Sequence, residues 1–190
     1  MNKSMNATVL MHVCCAPCAA AVFAHNLDKI YNINFLFCNN NIDCEAEFLR
    51  RLEALEVLLG VSKTALLGAK TGGQGAKNGH FDSDFGLVVI DFGHSVFSTC
   101  EDCFRSRLET CAKVAKERNF DYFATTLTAS PHKNSQLINS IGSQIGEDLG
   151  VKYLELDLKK QDGFKKSAQI IKSLGLYRQN YCGCAKSVRQ

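Results

Sequence analysis

At 190 residues with 46% hydrophobic content, the chain is long enough to bury a core without disulfide staples, and one domain over 1–190 is expected. Nothing reads as a secretory signal or a membrane span, since Met1 to Val13 offers only about six consecutive largely apolar residues, so a cytoplasmic, reducing setting without disulfides or membrane contact is expected. The net charge of +3 permits a polyanionic partner through a local patch but demands none.

Thr8 to Val13 is a short apolar and β-branched run, and Pro17 stands where a first helical residue would, ahead of Ala-rich sequence to about Leu27. A strand, a tight loop and a helix are expected. Asn34 to Phe37 repeats the strand signal, and Phe48, Leu52, Leu55 and Leu59 recur at helical spacing over 45–59. Gly68 to Gly86 holds six glycines in nineteen residues and reads as a flexible loop that packs no core. Leu87 to Asp91 is the third strand. A helix opening at Cys100 follows, with Leu108, Cys111 or Ala112, and Ala115 on its apolar face. Phe120 to Thr126 is the next strand, Ser130-Pro131 a turn, and Leu137, Ile138, Ile141, Ile145 and Leu149 line a helix ending at Gly150. Lys152 to Leu156 and Phe164 to Leu174 complete the alternation, the last helix closed by Gly175. Strands alternating with helices, without repeat or linker, imply an α/β fold: a mainly parallel sheet with helices on both faces and its active crevice beyond the strand C-termini.

Seven of the ten cysteines fall in three clusters: Cys14, Cys15 and Cys18; Cys100 and Cys103; Cys182 and Cys184. In a reducing compartment such clusters are ligands or redox thiols, and thiolate-rich sites suit zinc or iron–sulfur clusters. Adjacent Cys14 and Cys15 are expected to point apart and so to serve different metals or different corners of one cluster. Cys100 and Cys103, at the start of a helix, are well placed for a cluster. A cubane takes four thiolates, which leaves three for a separate, coordinatively open metal. Two other readings stay open: a structural zinc site, and a thioredoxin-like redox pair at Cys15 and Cys18. Cys38, Cys44 and Cys111 read as core or loop thiols, and His12 as structure beside the metal rather than a ligand.

The motifs taken together resemble the QueH family, the cobalamin-independent epoxyqueuosine reductases of the tRNA queuosine pathway, almost end to end. The resemblance is carried by His12-Val13-Cys14-Cys15-Ala16-Pro17-Cys18, Cys100-Glu101-Asp102-Cys103 with Arg107-Leu108, and 121–127 with Ser130-Pro131-His132-Lys133. It continues through 159–163 to Leu176-Tyr177-Arg178-Gln179-Asn180-Tyr181-Cys182-Gly183-Cys184. It implies a Rossmann-like (HUP-like) three-layer fold carrying a [4Fe–4S] cluster and an adjacent mononuclear iron, with no cobalamin. Together they would reduce the epoxide of epoxyqueuosine in a tRNA anticodon loop to queuosine, drawing on an external electron donor. The metal-binding set would be the seven clustered cysteines, with Cys14, Cys15, Cys18, Cys182 and Cys184 catalytic. Thr125, Thr126, Ser130 and Lys133 are suited to a phosphate or the modified base, or to turn and cap roles. Tyr177 and Arg178 are suited to an anticodon nucleotide, or to clamping the loop that places Cys182 and Cys184. Asp162 is a candidate proton donor if burial raises its pKa. The chain departs from the family pattern at Asn40, Thr99 and Phe104, where proline, arginine and tyrosine are usual. The rival class is a non-catalytic zinc or iron–sulfur protein that binds RNA.

Overall fold

The computed structural model describes residues 6–61 and 86–187. Five strands form one all-parallel sheet: β1 (Thr8–Val13), β2 (Asn32–Phe37), β3 (Gly86–Val89), β4 (Tyr122–Thr125) and β5 (Lys152–Tyr153), in the order β3-β2-β1-β4-β5. Five helices connect or follow them: α1 (Ala16–Ala24), α2 (Glu45–Leu59), α3 (Cys100–Glu117), α4 (Ser135–Leu149) and α5 (Gly163–Ser173). The strands read as apolar runs because both sheet faces are covered. Val9, Met11 and Val13 of β1 pack with Phe35, Phe37, Ala19, Val22, Phe48 and Leu55 on the side of α1 and α2. Leu10, Leu36 and Phe123 meet Leu108, Cys111, Ala115, Ile138 and Ile141 on the side of α3 and α4. That is the three-layer α/β arrangement that the alternation implied.

Local chemistry sets the element ends. Pro17 lies in the first turn of α1 and Cys15 is its N-cap; the helix stops at Ala24, short of Leu27, because Asn26 takes a left-handed φ of 54°. β5 keeps only two of the five residues expected in strand conformation. On α4 the apolar stripe includes Gly142, and the Tyr153 ring occupies the place a Cβ would take there, so glycine is what lets α4 close onto β5. The loop expected over 68–86 falls, apart from Gly86 at the start of β3, outside the described residues. Among the described residues, no helix is long and apolar enough to cross a membrane.

The strand order places the site. β1 leads through α1 to β2 on one side, while β4 pairs with its other edge, so the chain diverges beyond β1 and opens a crevice at the C-terminal edge of the sheet. Cys14 and Cys15 are the residues that leave β1 there.

Candidate metal centre and adjoining cavity

The sulfurs of Cys14, Cys15 and Cys18 all lie within 4.8 Å of one another. Cys14 is 3.6 Å from Cys15 and 3.4 Å from Cys18, close to the ~3.8 Å edge of a tetrahedron of thiolates at ~2.3 Å from a metal. The expected divergence of Cys14 and Cys15 therefore fails. The backbone bends at both residues on leaving the strand, which breaks the alternation that would have sent neighbouring side chains to opposite faces. Burial and mutual contact couple the three thiols. Cys14 is held well below the ordinary thiol range by its hydrogen bonds with Cys15 and Cys18, helped by Lys133. Cys15 is pushed up to about 12 by burial and by Cys14, and Cys18 is pushed up by Cys14 and Cys15. This environment weighs against a thioredoxin-like pair, whose attacking thiol must be accessible and acidic, whereas Cys15 is 1% exposed and pushed up.

Of the other four clustered thiols, Cys182 shares a cavity wall with Cys14 and Cys18, and none joins this group. Cys103 is buried on the inner face of α3, where burial raises it and Cys182 and Cys184 add to the rise. Cys100, one turn earlier, is exposed. Among the described residues, Cys14, Cys15 and Cys18 are the one group of three or more that lies at metal-binding spacing.

A cavity of about 550 Å³ opens over the cluster. Cys14, Cys18 and Cys182 line it on the metal side, and Ser130, Lys133, Arg178 and Gln179 on others. Lys133 is drawn toward the thiols: burial works against its charge, but Cys182, Cys14 and Cys18 outweigh it and keep the ammonium above its ordinary value. Gln179 donates from Nε2 to Cys15 Sγ at 2.7 Å.

Two buried arginines, neither given a role from the sequence, flank the centre. Arg51 of α2 is 1% exposed and pairs through Nε with Glu47 Oε1 at 2.6 Å. Its terminal amines donate to the carbonyls of Cys182 (3.0 Å) and Tyr181 (3.1 Å), and its guanidinium lies 5.2 Å from the Tyr181 ring centroid. Asn41 adds a hydrogen bond to the Cys182 carbonyl at 3.2 Å. The 182–184 turn is thus tied to α2 and to the loop after β2. Arg107 of α3, also 1% exposed, donates from Nε to the Cys103 carbonyl at 3.2 Å, while neither terminal amine has a hydrogen-bond partner among the described residues. Burial opposes its charge, and Cys103, Cys182, Cys14 and Cys38 offset that. A buried cation with spare donors amid thiols is a natural neighbour for an anionic, sulfur-rich group, and the donor set here fits an iron–sulfur centre. In sequence, the available signal was charge placed on apolar stripes: Glu47 and Arg51 beside Phe48 and Leu55, and Arg107 beside Leu108.

Several expected contacts fall elsewhere. Thr125 is 1% exposed; its hydroxyl bonds His12 Nδ1 at 2.9 Å and accepts from Leu127 N at 3.1 Å, which is the turn role among its two readings. Thr126 is likewise fully buried. Strand-end hydroxyls face inward here because the chain turns into a 3-10 segment over Thr126–Ala129. His12 Nε2 faces the Cys38 carbonyl at 3.2 Å, which makes Nδ1 the acceptor from Thr125; burial lowers its pKa to about 4. Tyr177 donates to Glu47 Oε2 at 2.8 Å and so clamps the C-terminal segment onto α2. Ser130, Lys133 and Arg178 do line the cavity. Asp162 is exposed and outside the cavity wall, which removes the burial its role as proton donor required.

The departures from the family pattern have local explanations. Thr99 caps α3, accepting from Asp102 N at 3.1 Å while Asp102 accepts from Thr99 N at 3.1 Å. Asn40 donates to Ser106 Oγ at 3.2 Å, and Phe104 lies 5.8 Å beneath Arg107.

The sequence matches known proteins over nearly its whole length. The family model described as "Epoxyqueuosine reductase QueH" matches residues 9–190. The chain is 34% identical to the epoxyqueuosine reductase QueH of Streptococcus pyogenes serotype M1 over 99% of its own length and 73% of the relative's. It is 35% identical to that of Staphylococcus epidermidis over 93% and 74%, respectively. To that of Thermotoga maritima it is 35% identical over 95% and 90%. The matched span takes in all seven clustered cysteines together with the arginines that anchor them, and the chain belongs to the epoxyqueuosine reductase QueH family.

Proposed function

We propose that this protein reduces the epoxide of epoxyqueuosine in the anticodon loop of tRNA to the alkene of queuosine, releasing the oxygen as water. The observation that carries the reading is the convergence of Cys14, Cys15 and Cys18 on one side of a cavity large enough for a modified base. The step consumes two electrons and two protons, and the electrons come from an external donor. Cys14, Cys15, Cys18, Cys100, Cys103, Cys182 and Cys184 would hold a [4Fe–4S] cluster and an adjacent iron between them. When bound, these groups supply electrons singly and a Lewis-acidic site for oxygen.

The chain's own residues do the rest. Lys133 presents an ammonium at the cavity wall, placed to donate a hydrogen bond to the oxygen as its C–O bonds break. Ser130 and Arg178 line the same wall and orient the base and its sugar. Gln179 fixes Cys15 through its N–H to sulfur bond. Arg51 and Asn41 hold the 182–184 turn against the cavity. The test is anaerobic incubation of reconstituted protein with tRNA carrying epoxyqueuosine and a chemical reductant, followed by nucleoside analysis. Queuosine formed in proportion to iron loading supports the reading; zinc uptake with RNA binding but no turnover would replace it with the non-catalytic one.

A further inference from the structure

The basic charge of this chain is concentrated. Between Leu158 and Asn180 there are six Lys and Arg against one Asp, and since the whole chain has 22 against 19, everything outside that segment is net negative. α5 lies within it. Gly163, Ser167 and Ile171 form its buried face, with Ile171 packed on Ala16 and Ala20 of α1, and Lys165, Gln169 and Lys172 are turned outward. Those outward residues line a shallow groove floored by Ala168 and Leu176. The groove runs into the cavity over the thiols: Phe164 and Arg178 line both. At this junction the Arg178 guanidinium lies 5.4 Å from the Phe164 ring centroid, and the ring is 37% exposed.

We propose that the α5 groove is the track for the RNA strand that carries the reacting base. Lys165 and Lys172 pair with phosphates, and the Phe164–Arg178 pair stands at the point where the base turns off into the cavity. This rests on the reading of the cavity as the site of the modified base. A base that remains attached to its chain cannot enter a pocket unless the strand leaves across the rim, and this is a rim joined to the cavity by a basic groove. Lysines spaced i, i+7 stand about 10.5 Å apart along the helix, which lets them meet different phosphates of one strand. An aromatic ring carrying a guanidinium is a stacking surface for nucleotides. An acidic protein, such as an electron donor, would use the lysines but has no need of a groove that opens into the cavity.

The test is binding of an anticodon stem-loop RNA carrying epoxyqueuosine to the metal-loaded protein, followed by fluorescence anisotropy from 50 to 200 mM salt. The double variant Lys165→Gln/Lys172→Gln is compared with wild type and with a charge-matched control on α3, Lys113→Gln/Lys116→Gln. Each lost phosphate contact removes about 0.7 from the log–log salt slope on a single strand. Two contacts therefore correspond to about a sevenfold smaller loss of affinity across that salt range. The expected result is that reduction in the α5 variant alone, with weaker binding at 50 mM, a raised KM for the RNA and an unchanged visible spectrum. Equal slopes for the α5 variant and wild type overturn the proposal. Unchanged RNA binding with impaired reduction by a protein donor also overturns it and assigns the groove to the donor. If wild type reduces the RNA and the α5 variant matches it throughout, only this inference fails; if wild type neither binds nor reduces it, the proposed function fails with it.

Discussion

Replacing Arg107 by methionine should affect the metal-free and metal-loaded chains in opposite directions. The guanidinium is 1% exposed, and its two terminal amines make no hydrogen bond among the described residues. In the metal-free chain it is a buried cation held by a single bond from Nε to the Cys103 carbonyl and by its contact with Phe104. Exchanging such a group for a packed apolar side chain is neutral or stabilising by about 1–4 kcal/mol, or roughly 2–4 °C in Tm per kcal/mol at this size. In the loaded chain, the spare amines would meet the sulfur acceptors of the bound group. Two hydrogen bonds involving a charged group contribute about 1.5–3 kcal/mol each, so their loss weakens retention of the centre by roughly 10²- to 10⁴-fold. The assay pairs thermal unfolding of the chelated protein with iron and sulfide content per chain after reconstitution and a timed chelator challenge. Arg107→Lys, which keeps the charge but not the fork of donors, should fall between. A methionine variant that unfolds early without metal yet keeps iron like wild type would show that Arg107 serves the fold alone.

Serine at Cys14, Cys15 or Cys18 should each cut iron per chain after reconstitution. Alanine at Cys38 or Cys111, both buried away from the cavity, should cost about 1–2 kcal/mol in urea unfolding and leave iron content unchanged. Gly183→Ala should lower both iron content and turnover: φ is 118°, and a Cβ there would fall 2.9 Å from Ile42 Cγ1 and 3.3 Å from Arg51 Nη1, displacing the 182–184 turn. Urea midpoints read against pH test Asp121, whose carboxylate accepts from Thr8 N at 2.7 Å and Thr8 Oγ1 at 2.8 Å. Those bonds hold its pKa below the ordinary 3.8, so their stabilisation is present above that value and lost as pH falls through the lower folded value. Asp121→Asn should thus be less stable than wild type near neutrality, with the gap closing below about pH 4; a gap independent of pH would refute the assignment.

The sheet was legible because its strands are short apolar runs separated by helical periodicity, and a parallel order follows from that alternation. Seven of the ten cysteines stood out by spacing alone. What spacing cannot convey is direction. Cys14 and Cys15 were read as divergent because an extended strand sends neighbours to opposite faces, but the chain bends there and their sulfurs meet at 3.6 Å. Thr125 and Thr126 carried the right chemistry for a ligand and face the wrong way, toward His12 and the interior. Arg51 escaped notice, and Arg107 stood in a motif without a role, for a related reason. A charged residue on a helix reads as solvated unless its surroundings are known, and those surroundings are the 182–184 turn and the distant thiols, assembled only by the tertiary fold. Tyr177 fell to the simpler of its two readings, a clamp, because Glu47 lies within reach of its hydroxyl.

The walls of the cavity come from opposite ends of the described chain, from Cys14 at the first turn after β1 to Ser187 beyond the last thiols. Such a container has no partial form during synthesis. At translation rates of about 5–20 residues per second, roughly 8–34 s separate the appearance of Cys18 from that of residue 187. Through that interval the first three thiols have neither the Arg51-tethered turn nor Cys182 beside them. Metal acquired then would sit in an open, incomplete shell, and oxidants met then would attack bare sulfur rather than a finished centre. Loading is therefore expected to follow synthesis of the 182–184 turn, and protein made in oxygenated culture should carry less iron per chain than protein made without oxygen.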